Sequence, residues 1–208
     1  MTREDAGQVS DIEREAFPTQ WPPLNYHYEL QNRAARFFVA CDDSRSLGKS
    51  EVSDPPVKTA TGLMPRLSRL FGGRRPPAIE TRSLVRHYIV GFVGLWIMAG
   101  EAHITSIAVR EAYRQRSIGE LLLISAISLA MEMKATLVTL EVRVSNTSAQ
   151  HLYTKYGFVQ VGLRRGYYTD NKEDALIMSI QDVTSDAFRA CFQELKQARS
   201  RNSGQSVN

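Results

Sequence analysis

The stretch from His103 to Tyr156, HITSIAVREAYRQRSIGELLLISAISLAMEMKATLVTLEVRVSNTSAQHLYTKY, decides the fold. His103 to Arg110 is rich in β-branched residues and predicts a strand. After the turn Arg114-Gln115-Arg116-Ser117-Ile118-Gly119, the segment Ile118 to Met133 is apolar nearly all round, with Leu121, Leu122, Leu123, Ile124, Ile127 and Leu129. Such a helix packs on several sides. Residues 137–144 alternate, with Val138, Leu140, Val142 and Val144 on one face and Thr139, Glu141 and Arg143 on the other, so a second strand follows. Asn146 then caps a short helix from Thr147 to Tyr156, and Gly157 stops it.

Working outward, HYIVGFVGLWIM (87–98) turns at Ala99-Gly100-Glu101 and pairs with the His103 strand as an antiparallel hairpin. Arg36 to Ala40 predicts a strand, Tyr26 to Arg33 a short helix, and FPTQWPPL a stiff turn. Thr2 with Asp5 is a helix-starting box for a stripe of Val9, Ile12, Ala16 and Phe17 that ends at Pro18. Between these elements, residues 42–86 are rich in Ser, Pro, Gly and Arg and show no period, which predicts an exposed, disordered insertion.

That insertion holds nine basic and five acidic residues, which equals the net charge of +4 of all 208 residues. The basic balance therefore says little about the core. Within it, LMPRLSRLFGGRR is open to two readings: an amphipathic turn that touches a membrane or RNA, or a solvated linker. Gly48-Lys49-Ser50 is not a phosphate-binding loop, because Asp43 stands where the signature needs glycine. Past the domain at 1–183, Phe188, Cys191, Phe192 and Leu195 form a helical stripe expected to dock on the same chain, and a flexible tail completes 184–208.

Cys41 and Cys191 are far apart, and His27, His87, His103 and His151 lack a paired spacing, so no metal is expected. The first residues are charged and lack the apolar stretch of a secretion signal, so none is expected, and no apolar run reaches the roughly 18 residues of a membrane span. A cytoplasmic protein is the expectation.

Three places carry chemistry. The turn Arg114–Gly119 presents backbone N–H groups, a helix N-terminus and arginines that suit a pyrophosphate, although an ordinary capped helix has the same look. Glu141 is either a solvated residue with Arg143 as its partner or a general base. Tyr153 shares a stripe with Ala149, Leu152 and Tyr156, as a core tyrosine with its hydroxyl at the edge would.

Taken together, the Arg-x-x-Ser-x-Gly turn, LEVRVSN, SAQHLYTKYGF and the closing RRGYYTDNKEDALIMSI resemble the GNAT superfamily, and within it the ribosomal-protein alanine N-acetyltransferases. The resemblance covers residues 1–41 and 87–181. It implies an α/β (α+β) fold, a mixed and mostly antiparallel sheet flanked by helices, whose two central strands splay into a V. It also implies transfer of an acetyl group from acetyl-CoA to a protein's N-terminal α-amine, a ribosomal protein being the acceptor in that family.

By the same resemblance, Ile107, Ala108 and Val109 hold the pantetheine arm and thioester. Arg114, Gln115, Arg116, Ser117, Ile118, Gly119 and Glu120 hold the pyrophosphate, and Asn146 adds a further cofactor contact. Glu141 becomes the proton acceptor and Tyr153 the proton donor. Phe17 and Trp21, with Tyr167 and Tyr168, line the acceptor groove. Two alternatives stay open: acetylation of a small amine or a lysine side chain, and a non-catalytic acyl-CoA-binding or RNA-associated module. No DNA partner is expected, and a weak contact of the insertion with RNA or the ribosome is. The chain departs from the family pattern in having Ser117 where glycine is usual, in starting with a helix instead of a strand, and in carrying the 42–86 insertion.

Overall fold

Asp5 starts the first helix by accepting the Thr2 N–H at 2.6 Å, the box expected from the sequence. The computed structural model describes residues 1–17, 24–47 and 86–204. Helix α1 (Ala6–Ala16) buries Ala6, Val9, Ile12 and also Glu13. Helix α2 is a single turn, Tyr26–Glu29. It ends short of Arg33 because the Asn32 side chain accepts the Ala34 N–H at 3.0 Å, a local turn that competes with helix and leads into the first strand.

Six strands follow: β1 (Ala35–Leu47), β2 (Arg86–Met98), β3 (Glu101–Val109), β4 (Leu137–Arg143), β5 (Val159–Tyr168) and β6 (Glu173–Gln181). They form one sheet in the order β1-β2-β3-β4-β6-β5. The β2/β3, β4/β6 and β5/β6 pairs are antiparallel. Strands β3 and β4 are parallel, and their pairing stops after Ile104 meets Leu140, although β3 continues to Val109 and β4 to Arg143. The mixed sheet and its central V are as expected. No strand precedes α1 among the described residues.

The insertion limits need correction. Strand β1 runs to Leu47 and β2 begins at Arg86, so regular structure reaches into both ends of the segment 42–86. The polar run DDSRS, poor in strand-favouring residues, hid this extension. Residues 48–85, with LMPRLSRLFGGRR and Gly48-Lys49-Ser50, lie outside the described residues, as does Trp21. The chain divides into two units, one of Met1–Asp42 with Ile89–Asn208 and one of Asp43–Tyr88. Within the second, His87 Nδ1 lies 3.5 Å from Asp43 and the Arg45 guanidinium lies 4.7 Å from the centre of the Tyr88 ring.

In the larger unit, α3 (Ile118–Glu132) buries Leu122, Leu123, Ile127 and Ala130 in one core with Ala102, Ile104, Val138 and Leu140 of the two central strands. Helix α4 (Thr147–Lys155) ends as predicted, with Gly157 at φ +90°. A side chain there would be strained and would also meet the Phe188 ring at 3.2 Å.

That ring belongs to α5 (Asp186–Gly204), whose Phe188 and Phe192 stack at 5.8 Å while Phe192 meets Tyr156 edge-on at 6.2 Å. The C-terminal stripe thus docks on its own chain, but Cys191 is exposed and not part of the buried face. Phe192 is 1% exposed. Phe192→Ala is expected to cost about 3–5 kcal/mol, read as a lower urea midpoint with little change in slope; a loss under about 1 kcal/mol would show that α5 is not part of the cooperative core.

Candidate active site

Where β3 and β4 part, the backbone of β3 loses its partner on one side. Arg110 donates its N–H to Val90 at 2.9 Å, so by strand alternation Ala108 also faces β2, while Ile107 and Val109 turn their polar groups toward the opening. Two cavities meet there. One, of about 260 Å³, includes Phe17, His103, Glu141, Tyr167 and Tyr168 in its wall. The other, of about 710 Å³, is lined by Ile107 to Val109 and by the start of α3. Phe17, Ile107, Asn146 and Tyr153 belong to both walls.

The α3 end of the larger cavity is an anion-shaped turn. Gln115 and Ser117 take left-handed φ values of +59° and +56°. The serine that departs from the family pattern therefore sits at a position where an L-residue costs about 1–2 kcal/mol and glycine is relaxed. The Gly119 position has room for a ligand, its nearest atom to an added Cβ being 3.9 Å away. Arg114, Gln115, Ser117, Ile118, Gly119 and Glu120 all line this space, but Arg116 does not; its guanidinium lies 5.0 Å from the centre of the Tyr113 ring. Asn146 caps α4 by accepting the Ala149 N–H at 3.2 Å and still reaches both cavities.

In the smaller cavity, the Glu141 side chain is 7% exposed. It is not the solvated residue that alternation suggested, and Arg143 is not its partner. His103 Nε2 lies 2.9 Å from one carboxylate oxygen and Arg164 lies 3.1 Å from the other. Burial pushes the Glu141 carboxyl up, but the His103 hydrogen bond and the nearby positive charge outweigh it and hold the group below its usual range. Burial drives the Tyr153 phenol well above its ordinary value, so it keeps its proton.

Tyr167 and Tyr168 meet edge-on at 5.2 Å and are walls of the cavity, not merely surface aromatics. Burial pushes the Tyr168 phenol up to about 12. Arg143 holds this hairpin, with its guanidinium 2.8 Å from both Asp170 and Glu173 and 4.0 Å from the centre of the Tyr168 ring. The Ser106 hydroxyl is a further wall atom, buried with no hydrogen-bond partner among the described residues, and suits a polar guest.

The sequence reading missed His103, Arg164 and Ser106. His103 faces Thr139 across the parallel pairing, two residues before Glu141 on β4. That neighbourhood follows from a register between strands 36 residues apart, which no local pattern encodes.

A split sheet that brings a turn suited to an anion and a buried carboxylate to one opening fits the needs of a group-transfer enzyme. Residues 77–158 match the acetyltransferase (GNAT) family. The chain is 50% identical over 179 residues to a Bacillus subtilis protein named as a ribosomal protein bS18-alanine N-acetyltransferase, covering 86% of this chain and 90% of that one. It is 33% identical to an N-alpha-acetyltransferase of Sulfurisphaera tokodaii, covering 84% and 86%. The crystal structure of the Escherichia coli ribosomal-protein-S18-alanine N-acetyltransferase shares the fold, with a TM-score of 0.62 at 22% identity over 88% of this chain and 90% of that one. The chain belongs to the GNAT acetyltransferases.

Two outcomes follow from the site's local geometry. Ser117→Gly is expected to raise stability by up to about 1 kcal/mol and Ser117→Val to lower it by about 1–2 kcal/mol, measured by chemical denaturation; the opposite order would show that residue 117 is not left-handed. Hydrogen bonds from Ser145 and Arg143 hold the Glu173 carboxyl at about 2 instead of 4.5. A lowered carboxyl pKa stabilises the fold fully above the ordinary value and loses that effect as pH falls through the lowered one. The stability gap between wild type and Glu173→Gln should therefore close as pH falls from about 4.5 to about 2, and a constant gap would contradict the assigned bonds.

Proposed function

We propose that this protein transfers an acetyl group from acetyl-CoA to the N-terminal α-amine of a protein in the cytoplasm, a ribosomal protein being the acceptor. The observation that carries the reading is the buried Glu141–His103 pair in a cavity that shares its walls with the groove of the anion turn. The names of the Bacillus and Sulfurisphaera relatives support the same choice of acceptor end.

The groove residues fit the co-substrate. Left-handed backbone at Gln115 and Ser117, the opening at Gly119 and the α3 N-terminus suit a diphosphate. The backbone of Ile107 and Val109 on the open side of β3 suits the pantetheine arm, the Val109 carbonyl accepting from Arg114 Nε at 3.3 Å, and one of the two N–H groups would stabilise the negative charge that develops on the thioester oxygen.

Magnitudes constrain the proton path. An α-ammonium has a pKa of about 7.7–8.0 and no lone pair, so near neutral pH most of the acceptor must lose a proton before it attacks; Glu141, held below the ordinary carboxylate range, is ionised to receive it. The Glu141–His103 pair accepts that proton directly or through water, and the neutral amine then attacks the thioester carbonyl. The new N–C bond forms, the C–S bond breaks, Tyr153 supplies its phenolic proton to the leaving thiolate, and the proton lost from the adduct nitrogen restores the phenol through solvent. Tyr167 and Tyr168 would orient the acceptor peptide, with Phe17 in the same cavity wall.

The direct test is acetylation of a panel of N-terminal peptides alongside polyamines and lysine-bearing peptides, read as thiol release. α-Amine acetylation of peptides beginning as ribosomal proteins do is expected. Thiol release with polyamines alone would overturn the reading, and no release with any amine would favour a non-catalytic acyl-CoA-binding module. In the same assay Glu141→Gln should lower kcat/KM by about 10²-fold near pH 7 and by less above pH 9, where the amine is already neutral. Equal rates for wild type and variant across that range would remove Glu141 from the mechanism.

A further inference from the structure

Glu120 is out of place by charge. It stands in the first turn of α3 and lines the groove proposed for a diphosphate, where a bare carboxylate would repel the ligand. Two cations answer it. Lys155 Nζ lies 2.6 Å from one carboxylate oxygen, which also accepts the Tyr156 hydroxyl at 2.8 Å. Arg199 Nε lies 3.4 Å from the other oxygen. These contacts outweigh burial and hold the Glu120 carboxyl below its usual range.

Arg199 comes from α5, remote in sequence, and touches the turn a second time. Its Nη2 lies 3.5 Å from the carbonyl oxygen of Ser117, the residue held at φ +56°. Side-chain exposure ranks the two cations: Arg199 is 15% exposed and Lys155 51% exposed. Solvent and salt screen the lysine more, so Arg199 is the steadier counter-charge. Its position is fixed from below, because Phe192, Leu195 and Arg199 fall at i, i+3 and i+7 on one helix face, and Phe192 packs on Tyr156. Tyr156 in turn donates to Glu120. One helix stripe thus ties the hydrophobic core to the anion turn.

We propose that Arg199 of the C-terminal helix is a positioning residue for diphosphate binding, sharing the charge of Glu120 with Lys155 and bracing the Ser117 turn, so that Lys155 can turn to the ligand without leaving the carboxylate unpaired. The inference rests on the reading that the groove takes the diphosphate of an acyl-CoA. Without Arg199, Lys155 alone balances Glu120, and a diphosphate must compete with that carboxylate for the same ammonium. The C-terminal helix would then set cofactor affinity without touching the cofactor.

Calorimetric titration of the full chain with CoA, and with pantetheine, which lacks the diphosphate, tests this. Arg199→Gln is expected to weaken CoA binding by about five- to tenfold and pantetheine binding by less than about twofold. Glu120→Gln combined with Arg199→Gln should restore CoA affinity to within about threefold of wild type, because the unbalanced charge is gone. Equal weakening of both ligands, unchanged CoA affinity in Arg199→Gln, or no recovery in the double variant would each overturn the proposal. Wild-type protein that binds no CoA would instead bring down the reading of the groove itself, and the proposal with it.

Discussion

The short parallel pairing of β3 with β4 is the constraint on which the rest depends. Four residue pairs, Glu101–Ile104 against Leu137–Leu140, join the two arms of the sheet, and then the strands part. A parallel ladder needs a long crossover, here α3, and α3 begins at the mouth of the split. The same connection therefore builds the core and aims the helix N-terminus at the opening. Beyond Ile104 the β3 backbone groups that face away from β2 lose the β4 ladder and need other polar partners, so the split is suited to binding a polar guest.

Charge in this opening is managed by buried pairs. Glu141 and Glu120 are each largely covered, and each carboxylate has two basic side chains against it: His103 and Arg164 for the first, Lys155 and Arg199 for the second. A buried carboxylate that lost its partners would be neutral or strongly destabilising. In the first case the compensated charge sits where an amine would approach. In the second it sits beside a backbone cradle suited to phosphate, and compensation there prevents repulsion. The two pairs serve opposite ends of one transfer reaction under the proposed function.

Much of the architecture was legible in the sequence because its signals are local. Alternation in 137–144, the apolar run of α3, the Asn146 cap and the Gly157 stop all depend on neighbours a few residues away. The weaker readings also have local causes. The polar end of β1 lacks strand-favouring residues, and α2 is cut short by the Asn32 side chain. The exposed Cys191 shows that a helical stripe one residue too wide looks the same in sequence as the stripe that packs.

By itself the sequence determined the order of strands and helices from Tyr88 to Tyr156, put Glu141 in the middle of a strand, and put Tyr153 on the inward stripe of the helix after it. Ser117 stood out there as a missing glycine, and the structure supplies the cause in its φ of +56°. Only the tertiary structure decided that Glu141 is buried and paired with His103 and Arg164, that Arg143 turns away to hold the tyrosine hairpin, and that Arg199 reaches the anion turn. The physical reason is that side-chain partners are set by strand register and helix docking between distant segments, whereas the periodicity of a chain reports only which face a residue is on.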